Sequence, residues 1–280
     1  MLSQVAVVPE YALVQRLVAL SSLIYVYEEN QYTPVLTDDY VRETYDFVRE
    51  TCRITLFVDI ERTSFQGFTC VNLKDKEIYV VMRGTEDGRD VIIDALFFQV
   101  ALLQDKKNRH IKVHAGFKKQ LESRGAAGKL SAEVKRLLTV HPTFSVHVTG
   151  HSLAGALATL LGYRLSAEIP YKHIHVVPIA SPRVGNMAFR KSCDEKKNLH
   201  IVRLVNASDI ATALPMIGYH HVGTVLKLNA SENVQVFENY SYDPRREFAL
   251  WRNTSIAAHD VKAYWTNLRK VADNWDTDEV

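Results

Sequence analysis

Residues Phe144 to Ala156 constrain this chain more than any other stretch. An apolar, alternating segment, Phe144-Ser145-Val146-His147-Val148, runs through Thr149 into Gly150-His151-Ser152 and then into Leu153-Ala154-Gly155-Ala156. The first part reads as a short strand, and the part from Gly155 to Ala167 as a helix. A strand that turns straight into a helix leaves no room for large side chains at the turn. It lifts the Ser152 hydroxyl above the sheet edge and aims the helix N-terminus at whatever binds there. This is the context a nucleophile elbow needs, with the N–H of Leu153 placed to meet a developing oxyanion. The pattern departs from G-x-S-x-G at one place, since Ala154 holds the fifth position and Gly155 follows. The plainer alternative is an ordinary strand-turn-helix carrying a surface serine.

The rest of the chain can be read around that turn. Pro9 to Glu28 carries Leu13, Leu17, Leu20 and Ile24 at helical spacing. A second helix runs from an N-cap at Thr37 to about Cys52, with Asp38 and Asp39 in its favourable first turn. Strands are predicted over Ile54 to Val58, Phe65 to Asn72 and Glu77 to Met82, with Lys74-Asp75-Lys76 as a hairpin turn. A long helical region covers His114 to Val140, broken near Gly125 to Gly128. Later come a strand at His173 to Ile179, a helix at Met187 to Cys193, a strand at His200 to Val205, and a strand pair at His221 to Leu228 and Val234 to Phe237. An amphipathic helix from Ala257 to Ala272 closes the chain. Strands alternating with helices from Phe144 onward imply parallel βαβ units, and the opening half adds antiparallel pieces. The expectation is one α/β domain over residues 1–280, with helices in 1–53 and a frayed acidic tail at 273–280.

Composition narrows the classes. With 280 residues, 47% hydrophobic and 24% charged, the chain is an average globular one, not a disordered, collagen-like or coiled-coil one. Lys plus Arg is 34 against 32 for Asp plus Glu, so the net charge of +2 lacks the basic footprint of a nucleic-acid binder. No uncharged run approaches the ~20 residues needed to span a bilayer. The three cysteines, Cys52, Cys70 and Cys193, share no metal-ligand spacing, and neither a metal nor another cofactor is expected. Their odd, sparse count and the absence of a leader pattern predict a cytoplasmic chain, with secretion left open.

Several blocks, in order, resemble the class 3 lipase family of α/β-hydrolases, the fungal-lipase-like group. Gly150 to Ala156 resembles G-H-S-L-G-G-A with one glycine replaced by alanine. Arg83-Gly84-Thr85 resembles the R-G-T/S oxyanion loop, and Val113-His114-Ala115-Gly116-Phe117 resembles V-H-x-G-F. Ser181-Pro182-Arg183-Val184-Gly185-Asn186 resembles S-P-R-V-G-N. Val205-Asn206-Ala207-Ser208-Asp209, with Leu214-Pro215 after it, resembles V-N-x-x-D…L-P. Each block is moderately specific, five in order are highly specific together, and the resemblance covers roughly residues 65 to 265. The resemblance implies an α/β-hydrolase fold, a mostly parallel central sheet flanked by helices, with a lid.

It also implies a triad in the chain order Ser, Asp or Glu, His. Asp209 follows the strand His200 to Val205, at the carboxyl end where catalytic groups collect; the alternative is a turn or cap residue. Asp194, beside Glu195, Lys196 and Lys197, reads as a solvated surface charge. After Asp209 the chain holds His220, His221 and His259. The first two open an apolar strand, while His259 stands where the last helix begins, anchored by Val261, Tyr264, Trp265 and Leu268; its alternative is a capping or surface role. His114 and His151 precede the Asp and read as structural.

Thr85 would supply its N–H, and its hydroxyl, to the oxyanion beside Leu153; alone, the segment could be a plain strand-end turn. Residues 86–103 are read as the lid, with Val91, Ile92, Leu96, Phe97 and Phe98 as its acyl-contacting side chains. The alternative for Val91 to Leu103 is a buried core helix, too short to span a membrane. The function implied is a serine ester hydrolase acting on acylglycerols, with transient contact at a lipid interface. Phospholipase A, feruloyl-ester or polyester hydrolysis, and a non-catalytic lipase-like binding or signalling module, are the competing readings.

Overall fold

In the computed structural model, residues 8–26, 38–84, 99–102, 108–229, 234–237 and 255–275 are described. Two helices come first, α1 (Tyr11–Val26) and α2 (Asp39–Arg49). Antiparallel strands follow: β1 (Arg53–Ile60), β2 (Phe65–Asn72) and β3 (Glu77–Met82). A short antiparallel pair, β4 (Gln99–Ala101) and β5 (Lys112–His114), leads into α3 (Ala115–Glu122) and α4 (Ala126–Val140). Strands and helices then alternate as β6 (Ser145–His151), α5 (Leu153–Glu168), β7 (Ile174–Ile179), α6 (Met187–Asp194) and β8 (Leu199–Asn206). After β9 (Thr224–Leu228) and β10 (Val234–Phe237), helix α7 (Val261–Lys270) lies near the end of the chain. One eight-stranded sheet has the order β1-β2-β3-β6-β7-β8-β9-β10. Its centre, β3 through β9, pairs in parallel, and both edges are antiparallel.

The two-residue period of a strand explains why both faces are covered. In β3, Ile78, Val80 and Met82 join an apolar layer with Phe117 of α3, Leu130 and Val134 of α4, and Leu157 of α5. Tyr79 and Val81 point the other way, into a layer with Leu17 and Ile24 of α1 and Tyr264, Trp265 and Leu268 of α7. A parallel sheet buried on both faces reads as near-continuous apolar runs, as β7 does.

Several boundaries differ from the expectation. β6 continues past Val148 to His151, and α5 begins at Leu153 instead of Gly155. His114 does not begin a helix; it ends β5 and caps α3, its Nδ1 accepting from the Phe117 N–H at 3.4 Å. The cap of α2 is Asp38, which accepts from the Tyr40 N–H at 2.8 Å; the expected Thr37 lies outside the described residues. The break before α4 sits at Arg124 and Gly125, both left-handed, with φ 41° and 75°. Strand β9 starts at Thr224 and not at His221, because Gly223 adopts φ 71°. A Cβ at Gly223 would lie 2.2 Å from the Ile201 carbonyl oxygen. Within the stretch read as a lid or core helix, Gln99–Ala101 is strand, paired with Lys112–His114. The tail is also tied down as far as Trp275, whose indole N–H donates to the Pro9 carbonyl at 3.0 Å while its ring meets Tyr11 edge-on.

A row of rings crosses the sheet in register near the amino ends of the strands: Tyr79, His147, His175 and His200. His147 and His175 stack at 5.3 Å between centroids, and His175 and His200 at 5.1 Å. His200 is hydrogen-bonded to His173 at 2.8 Å, and Glu77 approaches His147 at 3.4 Å. Burial, then the neighbouring His147, His200 and His173, push the His175 imidazole down to about 4, against a small upward pull from Glu77. A folded-state value below the unfolded one means stability is complete above about pH 6.5 and is lost as the pH falls towards 4. The urea midpoint should therefore drop between pH 7 and pH 5. His175→Phe, which keeps a ring in the stack but cannot take a proton, should show a smaller drop in the same circular-dichroism titration.

Candidate active site

The elbow is built at the end of β6. Ser152 stands between that strand and α5 with φ 61° and ψ −128°, a conformation a non-glycine residue holds only when its surroundings impose it. Here its N–H donates to the Ile179 carbonyl of β7 at 2.9 Å, and its own carbonyl accepts from the Gly155 N–H at 2.9 Å. The departure at Ala154 has a steric explanation. A Cβ at Gly150 would come 2.6 Å from the Ala154 Cβ, so the alanine methyl fills the space that Gly150 leaves open. One glycine of that facing pair is enough. Gly155 cannot follow suit, because its Cβ would meet the Ser181 Cβ at 2.8 Å.

The structure brings Ser152, Asp209 and His259 together from three segments far apart in sequence. His259 Nε2 lies 2.7 Å from Ser152 Oγ, and His259 Nδ1 lies 3.0 Å from both carboxylate oxygens of Asp209. All three residues are buried. Asp209 also caps the short 3₁₀ turn Ile210–Ala213, accepting from the Ala211 N–H at 2.9 Å, so one carboxylate both caps the turn and meets His259. Its Oδ2 accepts from the Tyr264 hydroxyl at 2.6 Å. Burial, then the Asp209 charge, raise the Tyr264 hydroxyl far above its ordinary range, so it stays a donor. With every oxygen occupied, the carboxylate has little freedom to rotate away from the imidazole.

His259 ends a 3₁₀ turn, Ala257–His259, just before Asp260 caps α7 by accepting from the Lys262 N–H at 2.9 Å. Buried Tyr264, Trp265 and Leu268 anchor that helix beneath the sheet. The Ser255 N–H reaches the Ser208 carbonyl at 2.8 Å, drawing the segment before His259 onto the loop of Asp209.

Other sequence blocks brace these loops. Arg183, fully buried, donates to the carbonyls of Ala213 and Pro215. Asn186 caps α6 through the Phe189 N–H at 3.0 Å and also accepts from the Lys112 N–H at 3.1 Å. The His114 N–H donates to the Val184 carbonyl at 2.9 Å. The partner of the Ser152 hydroxyl is His259 and not His221, whose Nε2 bonds the Thr212 carbonyl at 2.7 Å, in the 3₁₀ turn that Asp209 caps. Asp194 is an exposed residue, as its surroundings in sequence imply.

For an oxyanion, Leu153 opens α5, and its N–H belongs to the first turn, where no intrahelical carbonyl can satisfy it. Thr85 lies outside the described residues, as do Val91, Ile92, Leu96, Phe97 and Phe98. Gly84 just before Thr85 is placed: a Cβ there would lie 2.5 Å from the Tyr25 hydroxyl, 2.6 Å from the His151 carbonyl oxygen and 3.4 Å from the Ser152 Cβ. Residue 84 must therefore be glycine for the end of β3 to approach the elbow so closely. Among the described residues, no group of three or more His, Cys, Asp or Glu is arranged to hold a metal ion.

The sequence marks Tyr264 only as an anchor of the last helix; its bond to Asp209 spans 55 positions and leaves no local signal. Sequence reasoning passed over Asn206, which lies inside the block containing Asp209. Its side chain donates to the Ala258 carbonyl at 2.9 Å, and its N–H donates to Tyr264 Oη at 2.9 Å.

A family model described as Lipase (class 3) matches residues 79–219. The chain is 33% identical over 189 residues to a lipase of Rhizopus oryzae, covering 65% of this chain and 46% of that protein. It is 30% identical over 214 residues to phospholipase A1-II 6 of Oryza sativa subsp. japonica, covering 66% and 50%. It thus spans about half the length of the curated relatives it matches. Among solved structures, lipase II from Rhizopus niveus superposes with a TM-score of 0.75 at 27% identity, covering 89% of this chain and 92% of that one. A structure described as "a serine protease triad forms the catalytic centre of a triacylglycerol lipase" gives a TM-score of 0.75 at 25% identity, covering 91% and 94%. The mostly parallel sheet with helices on both faces is the α/β-hydrolase fold of these neighbours.

Proposed function

This chain belongs to the class 3 lipase family, and on that premise we propose that it is a serine ester hydrolase cleaving acyl esters of lipids, acylglycerols first among them. The observation that carries the reading is the unbroken line from Asp209 through His259 to Ser152, with bonds of 3.0 Å and 2.7 Å. Ser152 Oγ attacks the ester carbonyl as His259 Nε2 takes its proton. The carbonyl π electrons move to oxygen, where the Leu153 N–H and the Thr85 N–H stabilise the charge. His259 then returns the proton to the departing alkoxide, leaving an acyl-enzyme and the free alcohol. A water, deprotonated by His259, attacks the acyl-enzyme and releases the fatty acid and Ser152. Asp209 holds Nδ1–H in place, so that Nε2 is the basic nitrogen, and offsets the imidazolium charge. The position of Gly84 against Ser152 supports the part given to Thr85.

The phospholipase A1 relative favours a second reading, in which the ester lies on a phospholipid. A lipase-like module without catalysis is disfavoured by a complete, mutually bonded triad. The decisive experiment measures hydrolysis of a chain-length series of p-nitrophenyl esters, of emulsified triglyceride and of phosphatidylcholine vesicles by the purified protein. The proposal expects turnover of the esters and faster release of fatty acid from triglyceride than from phospholipid. Preference for the vesicles would move the assignment to phospholipase, and no turnover of any ester would sink it.

A further inference from the structure

The histidine between Gly150 and Ser152 is tied to the general base itself. We propose that His151 is a positioning residue: as a neutral imidazole, it clamps the backbone carbonyl of His259 and so sets the angle at which the base meets Ser152. The proposal rests on the ester-hydrolase reading above.

His151 is buried, and its Nε2 lies 2.6 Å from the His259 carbonyl oxygen. A carbonyl can only accept, so Nε2 carries the proton. Nδ1 is then the acceptor, and its partner is the Tyr25 hydroxyl at 3.1 Å. Tyr25 belongs to α1, and burial raises its hydroxyl well above the ordinary range, which keeps it a donor. The two partners together allow a single tautomer. Among the described residues, the titratable and charged groups facing this chain of bonds include Arg83, whose guanidinium carbon lies 5.6 Å from the centre of the Tyr25 ring, Asp260, next in sequence to His259, and Tyr264, whose ring meets that of His151 edge-on at 6.0 Å.

The clamp matters because the turn Ala257–His259 is a short one with few bonds of its own. Two successive carbonyls in it are held from outside, Ala258 by Asn206 at 2.9 Å and His259 by His151. The first tie comes from the strand that leads to Asp209, the second from the residue next to the nucleophile. The backbone that bears the base is therefore fixed relative to both of its triad partners.

Neutrality is the second requirement. The His151 and His259 rings are 4.9 Å apart between centroids. A proton on His151 would repel the imidazolium that forms on His259 and would weaken the acceptance from Tyr25. Burial first, and then the proximity of His259, push His151 down to about 3, so one ring of the pair takes the Ser152 proton and the other keeps its place.

The test compares His151→Leu, His151→Gln and wild type on a soluble p-nitrophenyl ester, with each rate divided by the sites titrated with a fluorophosphonate. Leu cannot donate to the carbonyl, whereas a Gln amide can. The expected result is a fall in kcat per titrated site of about 10²-fold for His151→Leu with KM within about twofold, and recovery of at least about tenfold in His151→Gln. A His151→Leu variant within about threefold of wild type per titrated site, or one whose loss is wholly a smaller titratable fraction, would overturn the proposal. Imidazole ¹⁵N NMR of the wild-type protein gives a readout that needs no turnover. His151 should hold the Nε2–H tautomer from pH 8 to pH 5, and an Nδ1–H tautomer or a titration near pH 6.5 would overturn the clamp even in a protein that cleaves no ester.

Discussion

Ser152→Ala is expected to lower ester hydrolysis on the order of 10⁴- to 10⁶-fold while leaving the fold intact. The substitution removes one oxygen and keeps the Cβ, so the elbow at φ 61° is neither more nor less strained than before. The cavity is small, and the lost bond to His259 Nε2 exposes no new apolar surface. The melting temperature should therefore stay close to that of wild type, and the circular-dichroism spectrum should be unchanged. Retention of more than a tenth of wild-type kcat would remove Ser152 from the role of nucleophile. Ser152→Gly sharpens the point, because it deletes the hydroxyl and also relieves the positive φ. It should be as inactive as the alanine variant and no less stable.

Asp209→Asn and His259→Ala are expected to cost nearly as much, about 10⁴-fold or more in kcat each, and the double variant should be barely worse than the worse single one. An Asn side chain can turn its amide towards His259 Nδ1, which then has to accept. That places the ring proton on Nε2, facing Ser152 Oγ 2.7 Å away, and the base can no longer take a proton there. The amide oxygen can stay at the Oδ1 position, where it accepts from the Ala211 N–H, and the Tyr264 hydroxyl, which faces Oδ2, can turn to accept from the new NH2 group, so the loop should survive the change. Steady-state kinetics on a soluble ester checks both singles and the double. Losses that multiply would mean that the two residues act independently, contrary to a relay through one imidazole.

How much of this could be read beforehand varies with the range of the forces involved. β2 and β3 have the bounds expected from the sequence, Phe65–Asn72 and Glu77–Met82, because strands buried on both faces are near-continuous apolar runs closed by a polar turn. Ser152 was legible because a strand, a glycine and small residues adjoin it in the chain. His259 and Asp209 were placed through the family resemblance and their order, and local pattern left a cap or turn role open for each. Asp209 both accepts from the Ala211 N–H, as a cap does, and meets His259 Nδ1. His114 reads as helix in the sequence because a side chain that caps an N-terminus looks, by composition, like the first residue of the helix it caps. Trp275 reads as part of a frayed tail because nothing near it in sequence shows that Pro9 and Tyr11 meet it from 266 and 264 positions upstream.

By itself, then, the sequence determined the alternating strands, the apolar faces of the helices, the sharp turn at Ser152 and the small residues that turn needs. These follow from sterics and burial over a few residues, which adjacent side chains report directly. The tertiary structure alone decided that Tyr264 and Asn206 reach the loops of Asp209 and His259, and that His151 bonds the His259 carbonyl. Those contacts join residues separated by up to 108 positions. They form only when the parallel strands set β6 beside β7 and β8, bringing the carboxyl ends of separate segments to one edge, and no local periodicity encodes which donor will then face which acceptor.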